Sequence, residues 1–257
     1  MNDLDEPPRI KMRTRKYPII ATGLPILDEY LLGGFRKDAL LHFYGEPGAG
    51  KSTMAMQFMI HIMRDGWKGI WVDCNGAFSL EKFQVMSQDT TLLNRLITVQ
   101  TKSFSQQTLV LQQLKFHLEN VGVVVVDPIT YHYRTERFQE ASQGYFQELV
   151  DNQLGTLIGI AHAQLIPIIV INYATRIQSN ATAPLVAQGF GRVEHYRLYF
   201  TTLYQGTDQE RKCVTIELAP EKYSQNRAFT FDVAQEGIIN FQLFTRKTPA
   251  ENEPGVE

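Results

Sequence analysis

Residues 45–52 read Gly45-Glu46-Pro47-Gly48-Ala49-Gly50-Lys51-Ser52, the spacing G-x-x-x-x-G-K-[ST]. Glycines so placed let successive backbone N–H groups turn inward, and a helix starting at once behind them adds its own unpaired donors. Such a cradle binds phosphate oxygens. Lys51 would reach the outer phosphates, the Ser52 hydroxyl would ligate Mg²⁺, and Thr53 follows in the first helical turn. A second carboxylate is needed on the magnesium side. Val123-Val124-Val125-Val126-Asp127 supplies one, with Asp127 at the end of an apolar run. The chemistry implied is nucleotide binding, with ATP and Mg²⁺ as cofactors.

The surrounding pattern must hold these residues. Ala39 to Tyr44 reads as a strand feeding the glycine-rich turn. Lys51 to Arg64 follows as a helix with Met54, Phe58 and Ile62 on one face. Strands are expected at Gly69–Asp73 and Leu96–Thr101, and a helix at Ser105–Leu118. Val121–Val126 has the unbroken apolar character of a central strand buried on both faces. A long helix is expected from about Phe138 to Ala163, with a possible interruption at Gly155, then a strand at Ile166–Ile171. Arg197–Thr202, Lys212–Leu218 and Ala228–Val233 read as shorter strands joined by polar turns. The expected fold class is α/β: a mostly parallel sheet with helices on both faces and a C-terminal antiparallel edge meander.

Composition excludes several other classes. The chain has 257 residues, 44% hydrophobic and 20% charged, with net charge −2. Its two cysteines, Cys74 and Cys213, cannot staple a chain of this length. Cys74 reads as a small buried filler. The six histidines lack metal-ligand spacing, and no G-x-S-x-G hydrolase elbow occurs. The start is acidic and proline-bearing, unlike a secretory leader. The most apolar stretch, Leu157 to Ala174, is broken by His162, Gln164, Pro167 and Asn172. No membrane span is expected, and the expected location is cytoplasmic. The expected organisation is a flexible basic arm at 1–17 (Arg9, Lys11, Arg13, Arg15, Lys16), a core at 18–244, and a disordered tail at 245–257.

Flanking segments narrow the class. Thr22-Gly23, Leu27-Asp28 and Leu31-Leu32-Gly33-Gly34 precede the phosphate loop as in RecA, RadA and KaiC-type ATPases. Trp71-Val72-Asp73-Cys74-Asn75-Gly76 and Ser79-Leu80-Glu81-Lys82-Phe83 resemble the second core strand and next helix of RadA and RadB. Asp127 to Glu136 resembles their strand end and first DNA-facing loop. The chain thus resembles the RecA/RadA superfamily of P-loop ATPases over about residues 18 to 240, most of all the archaeal RadB-type recombinase paralogues, as a core without a helix-hairpin-helix domain.

That resemblance implies a RecA-like core, a role in DNA recombination or repair, and ATP or ADP, single-stranded DNA and a recombinase as partners. Three positions depart from the pattern. Asn75 stands where a glutamate activates water, and an amide cannot take a proton; Asp73 and Glu81 are the neighbouring carboxylates able to serve instead. Asn172-Tyr173 replaces Asn-Gln, putting Tyr173 at the γ-phosphate sensor. Lys82 stands where an arginine often stacks on adenine, and lysine lacks the flat guanidinium. Lys51, Asn75 and Tyr173 are therefore the candidate catalytic set, with weak or absent hydrolysis expected.

For DNA, the resemblance points to Tyr131, Tyr133, Arg134 and Arg137 in a first loop and Arg176 in a second, Ala174 to Gln188. The plainer reading packs both tyrosines at a strand end and pairs Arg134 with Glu136. Two other functions fit the same motifs: a KaiC-like signalling ATPase with protein partners, or a non-hydrolysing nucleotide-bound assembly subunit.

Overall fold

Alternate residues of one strand feed both layers of the core. Val123 and Val125 pack into one apolar cluster, Val124 and Val126 into the other. This is why the valine run shows no polar alternation: water reaches neither face. In the computed structural model, residues 17–136, 143–176, 182–184, 190, 195–205, 209–220 and 225–244 are described. The basic cluster at 9–16, Arg137 and the tail at 245–257 lie outside them.

The elements in chain order are β1 (Ile19–Ile20), α1 (Pro25–Tyr30), β2 (Phe35–Arg36), β3 (Leu40–Gly45), α2 (Lys51–Arg64), β4 (Lys68–Asp73), α3 (Leu80–Ser87), β5 (Leu96–Gln100), α4 (Phe104–Gln113), β6 (Val121–Asp127), α5 (Tyr131–Glu136), α6 (Gln143–Gln164), β7 (Ile168–Arg176), β8 (Thr182–Pro184), β9 (Tyr196–Gln205), β10 (Gln209–Leu218), β11 (Arg227–Ala234) and β12 (Gly237–Leu243). The large sheet runs β12-β11-β10-β9-β3-β7-β6-β4-β5, with β8 hydrogen-bonded to β7. β3 is parallel to both β7 and β9, and β6 is parallel to β4 and β7. β9 to β12 are successively antiparallel. Met54, Phe58 and Ile62 of α2 fill one cluster, and Leu111 of α4 with Leu154 and Leu157 of α6 fill the other. The expected architecture is therefore present: helices cover both faces of a parallel centre, and the meander forms one edge.

Several boundaries differ from expectation. α4 stops at Gln113 and tightens into a 3₁₀ turn over Leu114–Phe116. α6 runs through Gly155 without a break. A Cβ there would meet nothing within 4 Å, so this glycine lowers helix propensity but forces no bend. β7 starts after Pro167, which has no N–H to give, and extends to Arg176. Its end folds back on β8, pairing Ala174 with Pro184 and Arg176 with Thr182. Residues 174–176 and 182–184 of the expected second loop are thus part of a β-ladder. The expected first loop is the helix α5 up to Glu136. Before β3, the buried Leu24, Leu27 and Leu31 share one face around α1, and Gly33 and Gly34 follow at positive φ. A Cβ on Gly34 would collide with the Ile20 carbonyl, so the turn needs glycine there.

Candidate nucleotide site at the strand ends

The carboxyl ends of β3, β7, β6 and β4 lie side by side. Gly45 is paired with Tyr173, and Asp73 with Asp127. In open parallel sheets ligands bind at such ends where the chain's direction of travel reverses. β3 occupies that position, with later strands on both sides.

The glycine-rich turn has the backbone its sequence requires. Gly45, Gly48 and Gly50 all have positive φ, at 144°, 74° and 91°. A Cβ at Gly45 would run into the Phe200 carbonyl of β9, so glycine is obligatory there. Glu46 ties the loop to β9 twice. Its N–H donates to Phe200 O (3.0 Å), and its carboxylate accepts from Thr202 N–H (2.9 Å). Glu46, Pro47 and Gly48 are exposed, Ala49 is buried, and α2 begins at Lys51. Lys51 Nζ donates to the carbonyls of Gly45 (3.0 Å) and Glu46 (2.6 Å), which holds it over the loop. Burial pushes its pKa down to about 8, against the pull of Asp127 and Glu46.

Asp127 faces the same space. Burial drives its carboxyl up to about 6, although the Ser52 hydroxyl donates to it and the Lys51 ammonium attracts it; Asp73 adds to the rise. A hydroxyl beside a carboxylate that resists being charged is the donor set of a hydrated Mg²⁺, whose charge would relieve that cost. The residues present fit the cation.

Asp73 has a different task. Its Oδ1 accepts from the N–H groups of Asn75, Gly76 and Ala77, and its Oδ2 from Phe78. Four donors fasten this carboxylate to the turn leading into α3, so Asp73 is not a free base. Asn75 is exposed at the tip of that turn. Tyr173 is half-buried nearby: burial raises its phenol's pKa and Asp127 adds to the rise, while Arg134 and the Asn75 side chain oppose it. Cys74 is buried, and burial pushes its thiol up to about 12, so it is inert at neutral pH.

The expected base contact, Lys82, lies in the first turn of α3. Ser79 caps α3 by accepting from Lys82 N–H. Lys82 then turns toward α2, where its ammonium donates to the Thr53 hydroxyl. Lys82 thus bonds α2 instead of lying flat across an open face. A cleft of about 570 Å³ lies between α3 and the β11–β12 turn, lined by Ser79, Glu81, Lys82, Val85, Val233, Ala234 and Gln235. Val233 also lies against Gly50, so the cleft adjoins the phosphate loop. No local motif marks Val233, Ala234 and Gln235, which reach this cleft from the far edge of the sheet. Glu81, the other carboxylate considered as a base, lines this cleft and not the strand ends.

The expected DNA contacts are split. Tyr133 is buried in the core with 5% exposure, so it has no face to offer a base. Tyr131 is half-buried against that core. Glu136 does not pair with Arg134; its carboxylate accepts from Phe104 N–H at 2.8 Å. Arg134 is exposed, with its guanidinium carbon 4.5 Å above the Tyr173 ring. Arg176 ends β7. Arg137 lies outside the described residues. Below them, Asn172 accepts at one oxygen from the Thr130 hydroxyl (2.6 Å) and Tyr173 N–H (2.8 Å), and its amide donates to His42. This buried network fixes the start of α5 against β7.

A phosphate loop closing β3, with an acidic end on a strand two positions along the sheet, defines a RecA-like P-loop nucleotide-binding core. The model of the KaiC ATPase family matches residues 20–77. The DNA repair and recombination protein RadB of Methanococcoides burtonii is 31% identical over 188 residues, covering 72% of this chain and 81% of that protein. RadB of Thermococcus kodakarensis is 36% identical over 180 residues, covering 67% and 79%. A crystal structure of the RadB recombinase superposes with a TM-score of 0.70 at 29% identity, over 86% of this chain and 98% of that one. This chain belongs to the RadB family. The KaiC match covers the phosphate loop and its flanks, so a KaiC-like signalling role has less support. Among the described residues no helix is long and apolar enough to cross a membrane.

Proposed function

We propose that this protein acts in DNA recombination and repair as a RadB-type paralogue whose ATP·Mg²⁺ serves chiefly as an ordering ligand. The phosphate loop and Lys51 would take the phosphates, and Ser52 and Asp127 the Mg²⁺. The cleft beside Lys82 would take the base. The cation would neutralise charge on the phosphates.

The observation carrying the slow-hydrolysis part is the rim of the site. Among the described residues, Asp73 is committed to four backbone donors and Asp127 sits beside Ser52. Position 75 holds an amide, and Tyr173 offers a phenol whose pKa burial raises. Such a rim can orient a water but has no base to deprotonate it, a loss of about 10²–10⁴ in rate. A polyanion such as single-stranded DNA would meet the exposed Arg134; a recombinase is the protein partner we favour.

Binding of a fluorescent ATP analogue, followed by anisotropy with and without Mg²⁺, tests the site. Lys51→Ala should abolish binding. Anisotropy of a labelled single-stranded oligonucleotide with ATP, ADP or neither then tests the DNA reading. Binding insensitive to nucleotide and no tighter than to a control protein would leave a protein partner only.

A further inference from the structure

Three polar side chains of α2 share one stripe. Gln57, His61 and Arg64 are spaced i, i+4 and i+7, so they stand above one another on the helix. They form one wall of a cavity of about 230 Å³, whose other wall is made by Gln88 at the end of α3 and Glu236 in the β11–β12 turn. Ile60 and Met86, both buried, give it an apolar floor. Arg64, Gln88 and Glu236 are exposed, so the mouth is open to solvent. Gln235 lines the nucleotide cleft and Glu236 lines this cavity, so the turn divides the two.

The polar groups here do not satisfy one another. Gln57 Oε1 accepts from Ile238 N–H (2.6 Å), which leaves its amide N–H donors for the cavity. Arg64 gives one N–H to Ser87 O (3.2 Å) and keeps the rest. Among the described residues, the side chains of His61, Gln88 and Glu236 make no hydrogen bond or ion pair. Arg64 and Glu236 thus line one cavity with opposite charges and do not pair. Asp89, a carboxylate that feels the Arg64 charge, spends its Oδ1 on the Thr91 N–H (2.9 Å) and hydroxyl (2.7 Å).

A bound molecule has to answer both charges. A phosphate would set its negative charge against Glu236, and a simple amine its positive charge against Arg64. A molecule that carries a carboxylate and an ammonium answers both. The volume lies below the ~300–1,000 Å³ of sites for drug-sized ligands, so it suits something smaller. The floor of Ile60 and Met86 asks for an aliphatic body. We propose that this cavity binds a free aliphatic α-amino acid: the Arg64 guanidinium and the Gln57 amide take its carboxylate, Glu236 its ammonium, and Ile60 and Met86 its side chain. The guanidinium fork matches the two oxygens of a carboxylate. This inference does not rest on the nucleotide site.

Isothermal titration calorimetry of L-leucine into the full chain tests it. Leucinamide, which lacks the carboxylate, and 4-methylpentanoate, which lacks the ammonium, are the comparison ligands. Wild type should bind L-leucine saturably at one site and each comparison ligand at least about ten-fold more weakly, the loss of one charge-assisted contact. Glu236→Gln should weaken L-leucine by about ten-fold and erase its advantage over 4-methylpentanoate while keeping its advantage over leucinamide. A selective change of this kind is not what a merely loosened fold would give. Saturating ATP·Mg²⁺ should leave L-leucine binding in place. No saturable binding at millimolar L-leucine, equal binding of either comparison ligand by wild type, or unchanged affinities in Glu236→Gln overturns the proposal. Mutual exclusion with ATP would put the amino acid in the base cleft and overturn it as well.

Discussion

Asp127 is required to be an anion in a place that resists anions. Its carboxyl has a raised pKa, about 6 against the ordinary 3.8. Between those values the native chain holds a proton that the unfolded chain has lost. Stability therefore falls as pH rises from about 4 through about 6, and the penalty persists above. Asp127→Asn should make the nucleotide-free protein more stable at pH 8 by about 3 kcal/mol, with the gain shrinking towards pH 4. Urea unfolding at the two pH values measures this, and a gain independent of pH would refute the burial argument. The same variant should lose Mg²⁺-dependent nucleotide affinity. At position 75 the expected change runs the other way. Asn75→Glu would put a proton acceptor at the rim and should raise phosphate release by about 10²-fold or more, the lower bound for a general base. No increase would locate the hydrolytic deficit elsewhere.

The turn between β4 and α3 shows an element built on one side chain. Asp73→Ala would leave the N–H groups of Asn75, Gly76 and Phe78 without their acceptor and Ala77 N–H with Asn75 Oδ1 alone. A loss of about 2–4 kcal/mol in thermal unfolding is expected, together with weaker nucleotide binding as Lys82 loses its anchorage. Asp73→Asn should recover part of it. How much of this was legible depended on whether the signal was local. The phosphate loop and α2 could be read directly, since every group that shapes them lies within one contiguous stretch. Asp127 was readable because a buried strand has to emerge somewhere. Asp73 was misleading: a carboxylate near a phosphate loop suggests catalysis, and only its distances to Asn75, Gly76, Ala77 and Phe78 show it serving the backbone. Tyr133 was ambiguous for the opposite reason, since an aromatic residue suits a base stack and a core equally. The contact of Arg134 with Tyr173 left no trace in the sequence, because nothing local marks two residues on different elements as neighbours.

At the scale of the whole molecule, ligand binding and stability are one measurement. ATP·Mg²⁺ at about 100 times its dissociation constant should add about 2.7 kcal/mol, raising Tm by about 5–10 °C for a chain of this size. Lys51→Ala should show no such rise. DNA affinity, if carried by few charges as the net charge of −2 implies, should show a shallow dependence on salt. A steep one would call for a larger basic surface than the exposed Arg134 provides.

The bond between Glu46 and Thr202 spans 156 positions of chain. Both neighbours of β3 in the sheet, β7 and β9, come later in sequence. A ribosome therefore finishes the phosphate loop's own residues long before it delivers the strand that shapes them. Through most of synthesis, Gly45 to Ser52 would be a binding motif without a binding site. ATP can therefore act as a chaperoning ligand only at the last stage, once Phe200 and Thr202 have cleared the exit tunnel. Nascent chains stalled before that point should not be protected from proteolysis by nucleotide, whereas chains stalled well beyond it should be.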